Sequence, residues 1–123
     1  MGHGDMSDVE REVVSKLDEI VASLPGSEAY VMVHHPAYSV GKRSFAIAGM
    51  DASARGPTVS INLGKLIQPG LLAEARFTKT PYIGQHGWVT ARVDALSAGE
   101  LRELVTESWK RVATKKLLRQ YDG

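Results

Sequence analysis

Apolar residues recur at helical spacing near the start of the chain. Val9, Val13, Val14, Leu17, Ile20, Val21 and Leu24 fall on one stripe, which predicts an amphipathic helix over about Ser7 to Leu24. Ser7 and Glu10 have the spacing of a capping box, and Asp8, Glu10 and Glu12 suit the positive end of the helix dipole. Pro25-Gly26 then stops the helix. From Glu28 the pattern changes to strands. Ala29 to Val33 is rich in β-branched and aromatic residues, and His34-His35-Pro36 follows as a connection. Ala37 to Val40 and Ser44 to Ala48 then flank the basic tip Gly41-Lys42-Arg43, which reads as a hairpin. Met50 to Pro57 is a loop, and Thr58 to Leu63 alternates with Val59, Ile61 and Leu63 on one face.

The second half repeats these signals. Gln68 to Ala75 predicts a short helix with proline at its first position. Arg76 to Gly87 reads as a loop with a short strand at its start. Trp88 to Val93 is a strand, with Trp88, Thr90 and Arg92 on one side and Val89, Ala91 and Val93 on the other. Ser97 and Glu100 form a second capping box, with Leu96 and Leu101 placed as a hydrophobic staple. Leu101, Leu104, Val105, Trp109 and Val112 make the buried stripe of the last helix, read as continuous past Lys116. The fold class is therefore α+β, an antiparallel sheet packed by an N-terminal and a C-terminal helix. Residues 7–119 are expected to form one domain, with tails at 1–6 and 120–123.

At 123 residues, 43% of them hydrophobic and 24% charged, the chain suits one globular core. It has no cysteine, so disulfides, thiolate metal sites and thiol nucleophiles are excluded. No signal peptide or membrane span is read, and the expected location is the cytoplasm. The net charge of +1 and a pI near 8.0 fall below the strongly basic balance common in dedicated nucleic-acid binders. Charge must therefore act through its distribution.

Four stretches resemble the MmcQ/YjbR family: Leu24 to Gly26, Pro36 to Ala46, Thr80 to Val89 and Glu107 to Leu117. The most specific is Thr80-Pro81-Tyr82-Ile83-Gly84-Gln85-His86-Gly87-Trp88-Val89, and the resemblance runs from about Ser7 to Leu117. It implies a double-wing fold with a DNA-binding label and no agreed biochemical activity. Many members carry tyrosine where Trp109 stands and a proline near the end of the last helix, where Thr114 to Leu118 has none.

Candidate chemistry is sparse. Lys42 and Arg43 at the hairpin tip could lie along phosphates, though hairpin turns commonly carry such residues. Lys110, Arg111, Lys115, Lys116 and Arg119 cluster with no acid between Glu107 and Asp122, although cations there also offset the helix dipole. At about 100° per residue on a continuous helix, Lys110 lies opposite the apolar stripe and Lys116 almost on it. Arg76, Lys79 and His86 make a mildly positive loop. Trp88 is read either as a core anchor or as a platform for a base. Adjacent His34 and His35 point to opposite faces and do not share a metal. Ser108 lacks a nucleophile elbow, and no phosphate loop is present, so no catalytic residue, metal or cofactor is assigned. The expected function is non-enzymatic, weak DNA binding through Lys42, Arg43, Arg76, Lys79, His86, Lys110, Arg111, Lys115 and Lys116. The alternative is a small-molecule or protein-interaction pocket at Tyr82, His86 and Trp88. The expected partner is DNA and not a membrane, and the chain is expected to be a monomer or weak homodimer.

Overall fold

The computed structural model describes residues 8–123, with side chains described from Arg11 onward. The Ser7–Glu10 capping box, Val9 and the tail at 1–6 lie outside the described residues. Helix α1, Asp8–Val21, is followed by three antiparallel strands: β1, Ser27–Met32; β2, His35–Val40; and β3, Arg43–Ala48. Strand β4 is Thr58–Asn62, the short helix α2 is Gln68–Leu72, and β5 is Phe77–Lys79. A 3-10 turn, Gly84–His86, leads into β6, Trp88–Arg92, and a second, Val93–Ala95, follows it. Helix α3, Ala98–Val112, and helix α4, Lys115–Asp122, complete the chain. The fold is α+β. Its six strands form one antiparallel sheet in the order β1-β2-β3-β4-β6-β5.

The main core lies between one face of this sheet and the helices. Leu17 and Ile20 of α1 and Leu101, Val105 and Trp109 of α3 meet Tyr38, Ala46, Ile61, Val89 and Ala91. Burying each large side chain contributes about 1.5–3 kcal/mol. A smaller cluster covers the opposite face, where Trp88 packs with Ala37 and Ile47 beneath Met32, Met50 and Ile83. Alternation along β6 therefore divides as its sequence predicts, and Trp88 anchors the outer cluster.

Several boundaries differ from the sequence reading, beginning with α1, which ends at Val21 and not at Leu24. The first strand stops at Met32, and Val33-His34 form a two-residue turn with φ of 44° and 71°. Pairing of Met32 with His35 closes this turn, so β2 begins earlier than expected. Val31–Pro36 is then a non-hydrogen-bonded pair, and the missing proline N–H points towards β3, whose pairing starts only at Ala37. Helix α2 ends at Leu72: the Ala73 N–H makes the last i→i−4 bond, to Pro69, and the Glu74 N–H tightens onto Leu71 as the chain turns towards β5. The last helix is two helices. Ala113 is extended, and the Thr114 hydroxyl caps α4 by accepting from the Leu117 N–H at 3.2 Å. The break lets Leu117 and Leu118 pack on the core and brings the Tyr121 ring to 5.2 Å from Trp109. With α3 and α4 separate, Lys110 and Lys116 do not share one helical wheel. Residues 120–122 belong to α4.

Candidate functional site

The sheet has an irregular end where β3 starts, β4 finishes and β6 begins. Tyr38 pairs with Ala46 while Ser39 pairs with Ser44, so Phe45 is an extra residue in β3. This bulge places both Phe45 and Ala46 in the main core. Pairing of β3 with β4 starts at Ala46–Ile61, and Ser108 of α3 occupies the next position. Its hydroxyl donates to the Phe45 carbonyl at 2.6 Å and accepts from the Asn62 N–H at 3.0 Å. Ser108 thus joins two strands that the bulge has parted.

Asn62 organises what lies beyond. Its Nδ2 donates to the His86 carbonyl at 3.1 Å, and its Oδ1 accepts from the Gly64 N–H at 2.8 Å. Gln68 holds the same loop from the other side, donating through Nε2 to the carbonyls of Gly84 at 2.7 Å and Trp88 at 3.0 Å. Gly87, at φ 106°, passes close against this frame. A Cβ there would lie 2.7 Å from Asn62 Oδ1 and 3.1 Å from the Gly64 carbonyl carbon. Upstream, the Ile83 N–H closes on the Pro81 carbonyl at 2.7 Å around Tyr82, whose φ is 67°. A bond across one residue at positive φ is a γ-turn, a strained arrangement for a non-glycine residue. It sends Tyr82 outward, 92% exposed, and leaves Ile83 half-buried.

These elements enclose an open groove of about 370 Å³. Its polar lining residues are Arg43, Ser44, Asn62 and Arg111, and its apolar ones are Met32, Ile47, Ile83, Trp88 and Val112. Among the described residues no carboxylate lines it. Arg111 donates to the Asn62 carbonyl at 3.4 Å, and its guanidinium approaches Gly64. Among the described residues neither Arg43 nor Arg111 makes an ion pair.

The remaining sequence candidates divide sharply. Arg76 is held between Glu74 and Glu100, each 2.9 Å away, and donates to the Ala95 carbonyl. Glu74 and then Glu100 raise its pKa, while the Ser97 N–H and then Arg76 lower that of Glu100. Lys110 pairs with Glu107 at 3.2 Å, which raises its pKa, and it lies over the Tyr121 ring. Lys42 lines a separate hollow that also contains Glu28 and Tyr30. Lys79 packs its stem against Gly84 and is exposed, as are His86, Lys115, Lys116 and Arg119. Of the expected pocket, Trp88 lines the groove with 8% exposure, whereas Tyr82 and His86 are not among its walls. Among the described residues no group of three or more His, Cys, Asp or Glu side chains is placed to hold a metal. No helix among them is long and apolar enough to cross a membrane. Sequence reasoning did not find Asn62, Ser44, Ile47 or Ile83 as wall residues, because each reads locally as part of a strand or loop.

A family model described as YjbR matches residues 22–111. Among solved structures, the chain is similar to the crystal structure of Deinococcus radiodurans protein DR2400, described with the family-model domain DUF419. The two share 20% identity over 89% of this chain and 87% of that one, with a TM-score of 0.68. At that identity the likeness concerns the fold. No curated protein matches the chain.

Proposed function

We propose, from the premise that the chain belongs to the YjbR family, that it is a non-enzymatic module binding nucleic-acid phosphates weakly at the open end of its sheet. One observation carries this reading: Arg43 and Arg111, distant in sequence, share a groove that no carboxylate lines among the described residues. A guanidinium pair offers forked donors to phosphate oxygens. Lys115 and Lys116, exposed at the start of α4, are expected to add to the positive charge available to phosphates. Arg76 and Lys110 are already paired with carboxylates and drop out of the contact set. With a net charge of only +1, affinity is expected in the range of non-specific binding, about 10⁻⁴–10⁻⁶ M at physiological salt. The cysteine-free composition suits a reducing compartment, and the reading places the module in the cytoplasm.

Fluorescence anisotropy with labelled DNA at low salt tests it. Arg43→Gln with Arg111→Gln should weaken binding at least about tenfold and flatten the salt dependence by about 0.9 log units per lost phosphate contact. Unchanged affinity in the double variant would remove the proposed contact surface. A second reading, a pocket for a small metabolite, is supported by the apolar lining of the groove. A melting-temperature rise with a metabolite, together with indifference to DNA, would favour it.

A further inference from the structure

The groove has an apolar lining that phosphate binding leaves without a role. Ile47, Ile83, Trp88 and Val112 line the same groove as the two arginines, with Ile83 the most exposed of the four. Phosphate and sugar gain nothing from such residues. Bases do, but in a duplex their faces are stacked inside the helix and unavailable. The volume of about 370 Å³ lies at the lower end of the range for sites that hold small ligands. Such a site has the dimensions of one nucleotide.

We infer that this groove takes a single unstacked nucleotide, so that the protein prefers single strands to duplex; the inference rests on the phosphate-binding reading above. Arg43 and Arg111 hold the phosphate while the base lies against Ile83, Val112 and the accessible edge of Trp88. Recognition is tolerant of sequence, because the polar side chains able to read a base edge are already engaged. Asn62 uses its amide on His86 and Gly64. The Ser44 hydroxyl is bonded to that of Tyr30. A free mononucleotide and an unpaired strand present the same chemistry, and the experiment separates them.

The chain contains two tryptophans, and Trp109 is fully buried in the main core, so emission changes on binding report Trp88. Anisotropy and tryptophan emission are followed with a dT ten-mer, a duplex of equal length and free dTMP at low salt. The strand should bind about tenfold more tightly than the duplex and quench Trp88, whereas the duplex should leave the emission unchanged. Ile83→Ala, with folding confirmed by circular dichroism, should weaken the strand about fivefold and spare the duplex. Arg111→Gln should weaken both. Quenching by dTMP at lower concentrations than the strand identifies the free nucleotide as the source, in the same groove. Equal affinity for strand and duplex with silent Trp88 overturns the inference and leaves phosphate binding standing. Binding of neither nucleic acid, with no quenching by dTMP, sinks both.

Discussion

Replacing Ser108 with alanine tests whether the irregular sheet end is built as described. The hydroxyl is 1% exposed and serves two backbone groups, the Asn62 N–H at 3.0 Å and the Phe45 carbonyl at 2.6 Å. Alanine keeps the Cβ and loses only the oxygen, and the void left so close to the Cβ is too small for a water molecule to take over both bonds. Both backbone groups then remain buried without partners, each at about 1–3 kcal/mol. Alanine is the better helix former by roughly 0.5 kcal/mol, which offsets a small part. The expected loss is about 2–5 kcal/mol, a large share of the ~5–15 kcal/mol that holds a domain of this size. Urea unfolding followed by far-ultraviolet circular dichroism should show a lower midpoint at unchanged slope, because the buried surface is the same. Ser108→Cys, which retains a weak donor and acceptor, should fall between alanine and the native chain. A loss below about 1 kcal/mol for the alanine variant would mean that Phe45 and Asn62 can bond directly. The parted strands would then not depend on the hydroxyl.

Other outcomes follow from the same geometry. Val33 and His34 occupy a two-residue turn at positive φ, so Val33→Asn with His34→Gly should raise stability by about 1–2 kcal/mol in the same urea assay. Gly87→Ala meets both a left-handed backbone and the Asn62–Gly64 frame, and should cost more than about 2 kcal/mol. Tyr82 is 92% exposed and sits at a strained φ, so Tyr82→Gly should keep or slightly raise the melting temperature and leave oligonucleotide affinity within about twofold. A larger loss of affinity would make Tyr82 a ligand contact. The Glu100 carboxyl is held low in the fold by the Ser97 N–H and Arg76. Its stabilising effect is present above the ordinary value of 4.5 and disappears as pH falls from there through the lowered folded value. Melting temperatures recorded between about pH 5 and pH 2 should therefore fall less steeply in Glu100→Gln than in the native chain.

What could be read from the chain was local. The Ser97–Glu100 capping box closes over three residues, and the faces of β6 follow from simple alternation. Both signals survive without knowledge of the rest of the fold. Ser108 is the opposite case. Its partners lie 46 and 63 residues away, so its sequence setting shows only a serine within a helix. The Val33–His34 turn carries neither glycine nor asparagine, and the helix break at Ala113 carries neither glycine nor proline. In each, tertiary packing overrides the local signal: β1 must close on β2, and Leu117 must reach the core. The groove is invisible for the same reason, since its walls come from β1, β3, β4, β6, the loop before β6 and α3.

Charge makes the point most sharply. Arg76 and Arg111 look equivalent in sequence, each a cation near aromatic and apolar neighbours. Arg76 lies at the mouth of α3, where Glu100 must stay to complete the capping box, and Glu74 reaches it from the turn before β5. It is thereby bound into the scaffold. Arg111 stands at the far end of the same helix, where α3 ends against the close of β4 and its guanidinium finds a backbone carbonyl instead of a carboxylate. The capping that fixes one end of α3 therefore consumes a cation, while the irregular sheet at the other end leaves one available. A positive surface on a nearly neutral chain depends on that asymmetry more than on the number of basic residues.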